Sequence, residues 1–109
     1  MYMPHAVFAY VHHNKRVAAM VTLKCKTDFA LRTDILQELG QHLAMHIAAN
    51  LNLDMDSGWL FDPSKTVKDA VKDVSDELGE PVHVYEISVH GNNTIPSPEL
   101  LDKVKKGLH

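Results

Sequence analysis

The chain has 109 residues, 45% of them hydrophobic, and a net charge of −3 with its eight histidines neutral. That length suits one domain over residues 1–109, and the acidic balance argues against nucleic acid, which asks for a basic face. No apolar run approaches the ~18 residues needed to cross a bilayer, so the chain reads as a protein without a membrane partner.

The segment His5 to His12 is short, apolar and rich in β-formers, which predicts a strand. His13-Asn14-Lys15 is a turn candidate, and Arg16 to Lys26 is a second strand. Along it Val17, Ala19, Val21, Leu23 and Cys25 share one face at period two, while Arg16, Thr22, Lys24 and Lys26 lie mostly on the other. The short connection predicts an antiparallel hairpin. A helix follows, with Asp34 as N-cap and Gln37 three residues on in the manner of a capping box. Its Leu36, Leu39, Leu43 and Ile47 fall on one stripe. Gly40 weakens the helix interior by roughly 0.5–1 kcal/mol relative to Ala, unless close packing requires it.

Asn50 to Lys65 carries Asn, Asp, Ser, Gly and Pro and reads as a loop, with Trp59, Leu60 and Phe61 docking onto the body. A second helix starts with Thr66 as N-cap and Asp69 at its third position. Val67, Ala70, Val71, Val74 and Leu78 form its buried stripe, and Gly79 ends it. Pro81 to Val89 is a third strand. After a turn over Gly91 to Pro96, Ser97-Pro98-Glu99 opens a final short helix through Leu108, with proline favourably at its first turn. The order β-β-α-α-β-α predicts an α+β fold, a small three-stranded antiparallel sheet with helices packed on one face.

Enzymatic chemistry has little to stand on. His42 and His46 are one helical turn apart, but the segment lacks the Glu of the zinc-protease signature, and no Cys pair or acidic cluster supplies a third ligand. The alternative is that both histidines border the apolar stripe and meet a partner or the core. Cys25 excludes an internal disulfide and suits a reducing compartment. On the apolar strand face it reads as an inert core thiol. Asp54 and Asp56 lack the rest of a calcium loop, and no nucleophile elbow or phosphate-binding glycine loop is present. The expectation is a non-enzyme with no cofactor and no metal. What stands out is Asp28-Phe29, an acid and a large aromatic between strand and helix. Two arrangements are open: Asp28 caps the turn with Phe29 packed under the helix, as aromatics usually are, or the pair faces outward to press into another protein.

Three blocks of sequence resemble the elongation factor Ts family of guanine-nucleotide exchange factors, and together they cover roughly residues 5 to 90. Cys25-Lys26-Thr27-Asp28-Phe29 is similar to the family's Cys-Glu-Thr-Asp-Phe-Val strand end. Ala44-Met45-His46-Ile47-Ala48-Ala49 is similar to its Ala-Met-His-Ile-Ala-Ala helix. Thr66-Val67-Lys68-Asp69 through Leu78-Gly79-Glu80 is similar to its last helix. The resemblance implies that elongation factor Tu is the partner and that Thr27, Asp28 and Phe29 intrude beside the nucleotide's magnesium site. Phe29 would be the apolar wedge, and the helix bearing His42 and His46 would touch another domain of the same partner. It implies GDP release without bond cleavage and a homodimer covering the exposed sheet; the lack of a signal-peptide pattern makes the cytoplasm the expected location. An alternative is a homodimeric Tu-binding or other interaction module without exchange activity; a His-rich metal-binding module is a third reading. Lys26, Ala30 and Pro81 stand where the family usually has Glu, Val and Asn, and Tyr85-Glu86 falls near a pair of Arg. The family's N-terminal helical module and long helical insertion have no counterpart, so a stripped single core is expected.

Overall fold

The computed structural model describes residues 3–91. Its elements, in order, are β1 (His5–Val11), β2 (Ala18–Cys25), α1 (Asp28–Leu31), α2 (Asp34–Asn50), β3 (Gly58–Trp59), β4 (Asp62–Thr66), α3 (Val67–Leu78) and β5 (Val82–His90). The strands β1, β2 and β5 form an antiparallel sheet with β2 in the middle, so the fold is α+β as the sequence pattern predicts.

Period-two alternation decides which side of this sheet is covered. Phe8, Val21 and Ile87 lie opposite one another, as do Tyr10, Ala19 and Val89. These side chains face inward with Leu23 and Cys25, and the inner residues of β2 are all but sealed. The stripe Leu36, Leu39, Leu43 and Ile47 of α2 completes the core. Gly40 has a packing reason: the Phe8 ring occupies the space where a methyl at that position would go. The helix and sheet can close on each other only because the side chain is missing.

The other side of the sheet is open. Val7, Val11 and Met20 are exposed there, and a bulge between Thr22 and Leu23 displaces Tyr85 from the regular register. Lys24 lays its ammonium 3.4 Å from the centre of the Tyr85 ring, a cation–π contact that shields part of this face.

The helix α3 starts as its sequence dictates. Thr66 Oγ1 accepts from the Asp69 N–H at 3.1 Å, and the Asp69 carboxylate accepts from the Thr66 N–H at 3.3 Å. This reciprocal capping box satisfies two otherwise orphaned donors. Gly79 ends the helix in the left-handed region at φ 73°, where a Cβ would be strained.

Three local features differ from the expectation. The N-cap of α2 is Thr33, not Asp34: its Oγ1 accepts from the Leu36 N–H and donates to the Ala30 carbonyl. Asp34 becomes the first helical residue, where a negative charge suits the helix dipole, and Gln37 reaches to the Leu31 carbonyl instead. The segment from Asn50 to Lys65 is not all loop, because β3 and β4 pair as a small antiparallel ribbon. Within it Trp59 is buried, while Leu60 and Phe61 dock against α2 but stay partly exposed. The helix expected from Ser97 to Leu108 lies outside the described residues.

Candidate partner-binding site

The corner after β2 is built by a single threonine. Thr27 holds an extended backbone, φ −130° and ψ 152°, and its Oγ1 accepts from the Ala30 N–H at 3.2 Å. That cap starts the four-residue α1, which turns the chain sharply before α2. Asp28 and Phe29 occupy the outer side of the turn, and Ala30 and Leu31 the buried side. Phe29 is 78% exposed, so its ring is not packed beneath α2. No hydrogen bond or ion pair among the described residues engages the Asp28 carboxylate. Lys26 and Arg32 flank the corner, both exposed, so the acid stands between two cations in the sequence.

Thr27 is itself held from far along the chain. Its N–H donates to Glu80 Oε1 and its Oγ1–H to Glu80 Oε2, both at 2.9 Å. Sequence reasoning missed this contact: Glu80 falls in a block that carries the family resemblance, yet nothing in the local pattern links it to Thr27.

The two histidines of α2 part company. His42 is half-buried and stacks on Phe61, with ring centres 3.9 Å apart and planes 18° apart. His46 is 1% exposed and lies against Trp59 at 5.2 Å. Its Nδ1 accepts from the Leu60 N–H at 3.1 Å, which places the imidazole proton on Nε2. That Nε2 is buried without a partner among the described residues. Burial holds the His46 pKa below the ordinary 6.5, because the charged imidazolium is costly away from water. His42 and Phe61 are accessible from outside. His46, expected with His42 as a contact residue, is instead covered by the ribbon it anchors.

The corner and the His42 face are separate places. His42 lies eight residues into α2 from Asp34, which is about 12 Å along the axis. Between them they offer an apolar projection with an acid at one end of α2 and an aromatic patch midway along it.

Other chemistry is sparse. No group of three or more His, Cys, Asp or Glu side chains converges in metal-binding fashion among the described residues. His46 is sealed in the core, and with its Nδ1 accepting from Leu60 its Nε2 carries the proton and has no lone pair for a metal. Cys25 is fully buried, and its thiol pKa is pushed up to about 11, first by burial and then by the neighbouring Glu80 charge. A thiol so far from ionising is a packing group rather than a nucleophile.

Comparison with known proteins adds ancestry to this geometry. The sequence profile of the family described as Elongation factor TS matches residues 2–57, a stretch that contains Thr27, Asp28, Phe29, His42 and His46. The elongation factor Ts of Thermosipho melanesiensis is 35% identical over 91 residues, covering 78% of this chain and 44% of the relative. That of Fervidobacterium nodosum is 34% identical over 91 residues, with the same coverage of 78% and 44%. That of Solibacter usitatus is 33% identical over 99 residues, covering 90% of this chain and 39% of the relative. The chain thus spans less than half the length of these relatives.

Proposed function

The chain belongs to the elongation factor Ts family, and on that footing we propose that it binds elongation factor Tu and promotes GDP release. The observation that carries the reading is the exposed ring of Phe29. An aromatic left 78% open on a capped, one-turn helix gains little for its own fold and has apolar area to give to a partner. Phe29 acts as the wedge, Asp28 as the polar group beside it and Thr27 as the residue that sets their direction. His42, with Phe61 beside it, forms a second contact on another domain of the same partner, and His46 supports that surface from beneath.

The chemistry is thermodynamic coupling. A protein that binds better to a distorted nucleotide pocket lowers the affinity for nucleotide, and nucleotide lowers its affinity by the same factor. No covalent bond is made or broken, so no general acid, base or metal of this chain is required. The protein acts in the cytoplasm, where Tu works, with neither nucleic acid nor membrane as a direct partner. No helix among the described residues is long and apolar enough to cross a membrane.

A second reading has its own observation. Val7, Val11, Met20 and Tyr85 are exposed on the open side of the sheet, an apolar surface of the kind that marks protein contacts. Burial of that face in a homodimer would make the chain a Tu-binding interaction module without exchange activity. Release of fluorescent GDP from Tu, measured with the wild-type chain and with Phe29→Ala, separates the two. Acceleration that is lost in the variant supports exchange. Binding to Tu without acceleration by the wild type leaves the interaction module, and no binding at all rejects both. Sedimentation of the free chain reports the dimer.

A further inference from the structure

We infer that Glu80 is the positioning residue of the Asp28-Phe29 corner, the group that sets the direction of the wedge; this rests on the exchange reading above. Little else holds the corner. A four-residue helix has no stability of its own, since nucleation costs more than one turn returns. Phe29 is mostly exposed, so packing does not fix its ring. Its direction is set by the backbone on either side, from Thr27 to Ala30.

That backbone is fixed by a relay. The Glu80 carboxylate accepts from both the N–H and the Oγ1–H of Thr27, at 2.9 Å each. With its proton committed to Glu80, Thr27 Oγ1 keeps a lone pair aimed at the Ala30 N–H, which it caps at 3.2 Å. One carboxylate therefore orients a residue at two points, and that residue orients the turn carrying Asp28 and Phe29. Hydrogen bonds to an ionised acceptor are stronger and more directional than neutral ones.

Glu80 is well placed for this because its own backbone is rigid. Gly79 closes α3 in the left-handed conformation, with its N–H donating to the Ser75 and Asp76 carbonyls. Pro81 fixes the next φ, and the Val82 N–H donates to Ser75 Oγ at 3.0 Å. The carboxylate is presented from the end of one helix and the start of a central sheet pairing, not from a free loop.

The test uses the full chain as wild type, Glu80→Ala, Glu80→Gln and Phe29→Ala. It reads fluorescent-GDP release from Tu over a range of protein concentrations, thermal melting, and NMR amide exchange at Thr27. Glu80→Ala should lower the release efficiency about tenfold, the loss of ~1.4 kcal/mol of coupling. Its melting temperature should fall by no more than about 5 °C, because both Thr27 donors then meet water. The Thr27 amide should lose protection. Glu80→Gln keeps one acceptor oxygen and the side-chain length, so it should recover most of the activity.

Wild-type release rates in Glu80→Ala, alongside a defective Phe29→Ala, would overturn the positioning role while leaving the exchange reading intact. Collapse of the fold in Glu80→Ala would overturn it too, since Glu80 would then hold the domain and not the corner. Should the wild type fail to accelerate release, the exchange reading falls. Thr27 protection and the Phe29 ring signals, compared between wild type and Glu80→Ala, then still decide whether Glu80 sets the corner.

Discussion

Replacing Phe29 with alanine probes the wedge at its strongest point. A phenylalanine side chain offers on the order of 200 Å² of surface, and 78% of the residue is open in the free chain. A partner that covers the ring removes about 150 Å² from water, worth roughly 4 kcal/mol at ~25 cal/mol per Å². Truncation to alanine keeps only the Cβ, so about 2 to 3 kcal/mol should be lost, a weakening of Tu binding of about 30- to 150-fold. The free protein should hardly notice, because the ring contributes little to its own core. Calorimetric titration of nucleotide-free Tu measures the binding, and a thermal melt followed by circular dichroism measures the fold. Affinity unchanged within twofold would refute the wedge. A variant that melts far below wild type would show that the ring belongs to the scaffold.

The remaining predictions concern the scaffold that presents these groups. Val21, 1% exposed at the centre of β2, should not tolerate Asp: an unpaired buried charge costs several kcal/mol, on the order of the whole stability of a small domain, and a cooperative melt in Val21→Asp would contradict the inward face. Gly40→Ala should destabilise by about 1 to 3 kcal/mol through overpacking on Phe8, despite alanine's better helix propensity; urea midpoints should show the loss, and Phe8→Leu in the same chain should recover part of it. His46 makes stability depend on pH. Its folded pKa lies below the unfolded one, so the unfolded chain takes up the proton first. Its contribution is complete above about pH 6.5 and declines as pH falls below that, by at most ~1.4 kcal/mol per pH unit, until the folded value is passed. Asn at this position keeps an acceptor for Leu60, so His46→Asn should show a shallower loss of urea midpoint between pH 7.5 and 5.5; equal slopes would remove His46 as the cause.

What the sequence disclosed was whatever depends on period and local chemistry. The alternation through Ala19, Val21, Leu23 and Cys25 and the stripe from Leu36 to Ile47 announced the two faces of the core. Thr66 with Asp69 announced the start of α3, and Gly79 its end. The Asp28-Phe29 pair stood out as an acid and a large aromatic between strand and helix, although its direction was open. The start of α2 moved by one residue because Thr33 and Asp34 are both residue types that cap, and the choice fell to Thr33 through its second bond to Ala30. The β3–β4 ribbon has too few pairs, with Pro63 inside it, to carry a strand signal. His42 and His46 share a helix face by spacing, and only the packing of Trp59 and Phe61 separates one into the core. The Thr27–Glu80 link joins two regions by folding alone, and no window of sequence contains both.

The place of β5 in the sheet has a consequence for how the molecule is made. Synthesis delivers β1, β2 and α2 early, yet β2 finds its second neighbour only in the last described strand, where Cys25 lies opposite Val82 and Ala18 opposite His90. Until that strand clears the ribosome, the central ribbon carries a bare edge of amides and carbonyls, and closing it demands a long loop with its entropic cost. Topology of this kind slows the closing step and ties it to the synthesis of β5. A nascent fragment can therefore display every residue of the matched stretch and still lack the tertiary frame that gives them a direction.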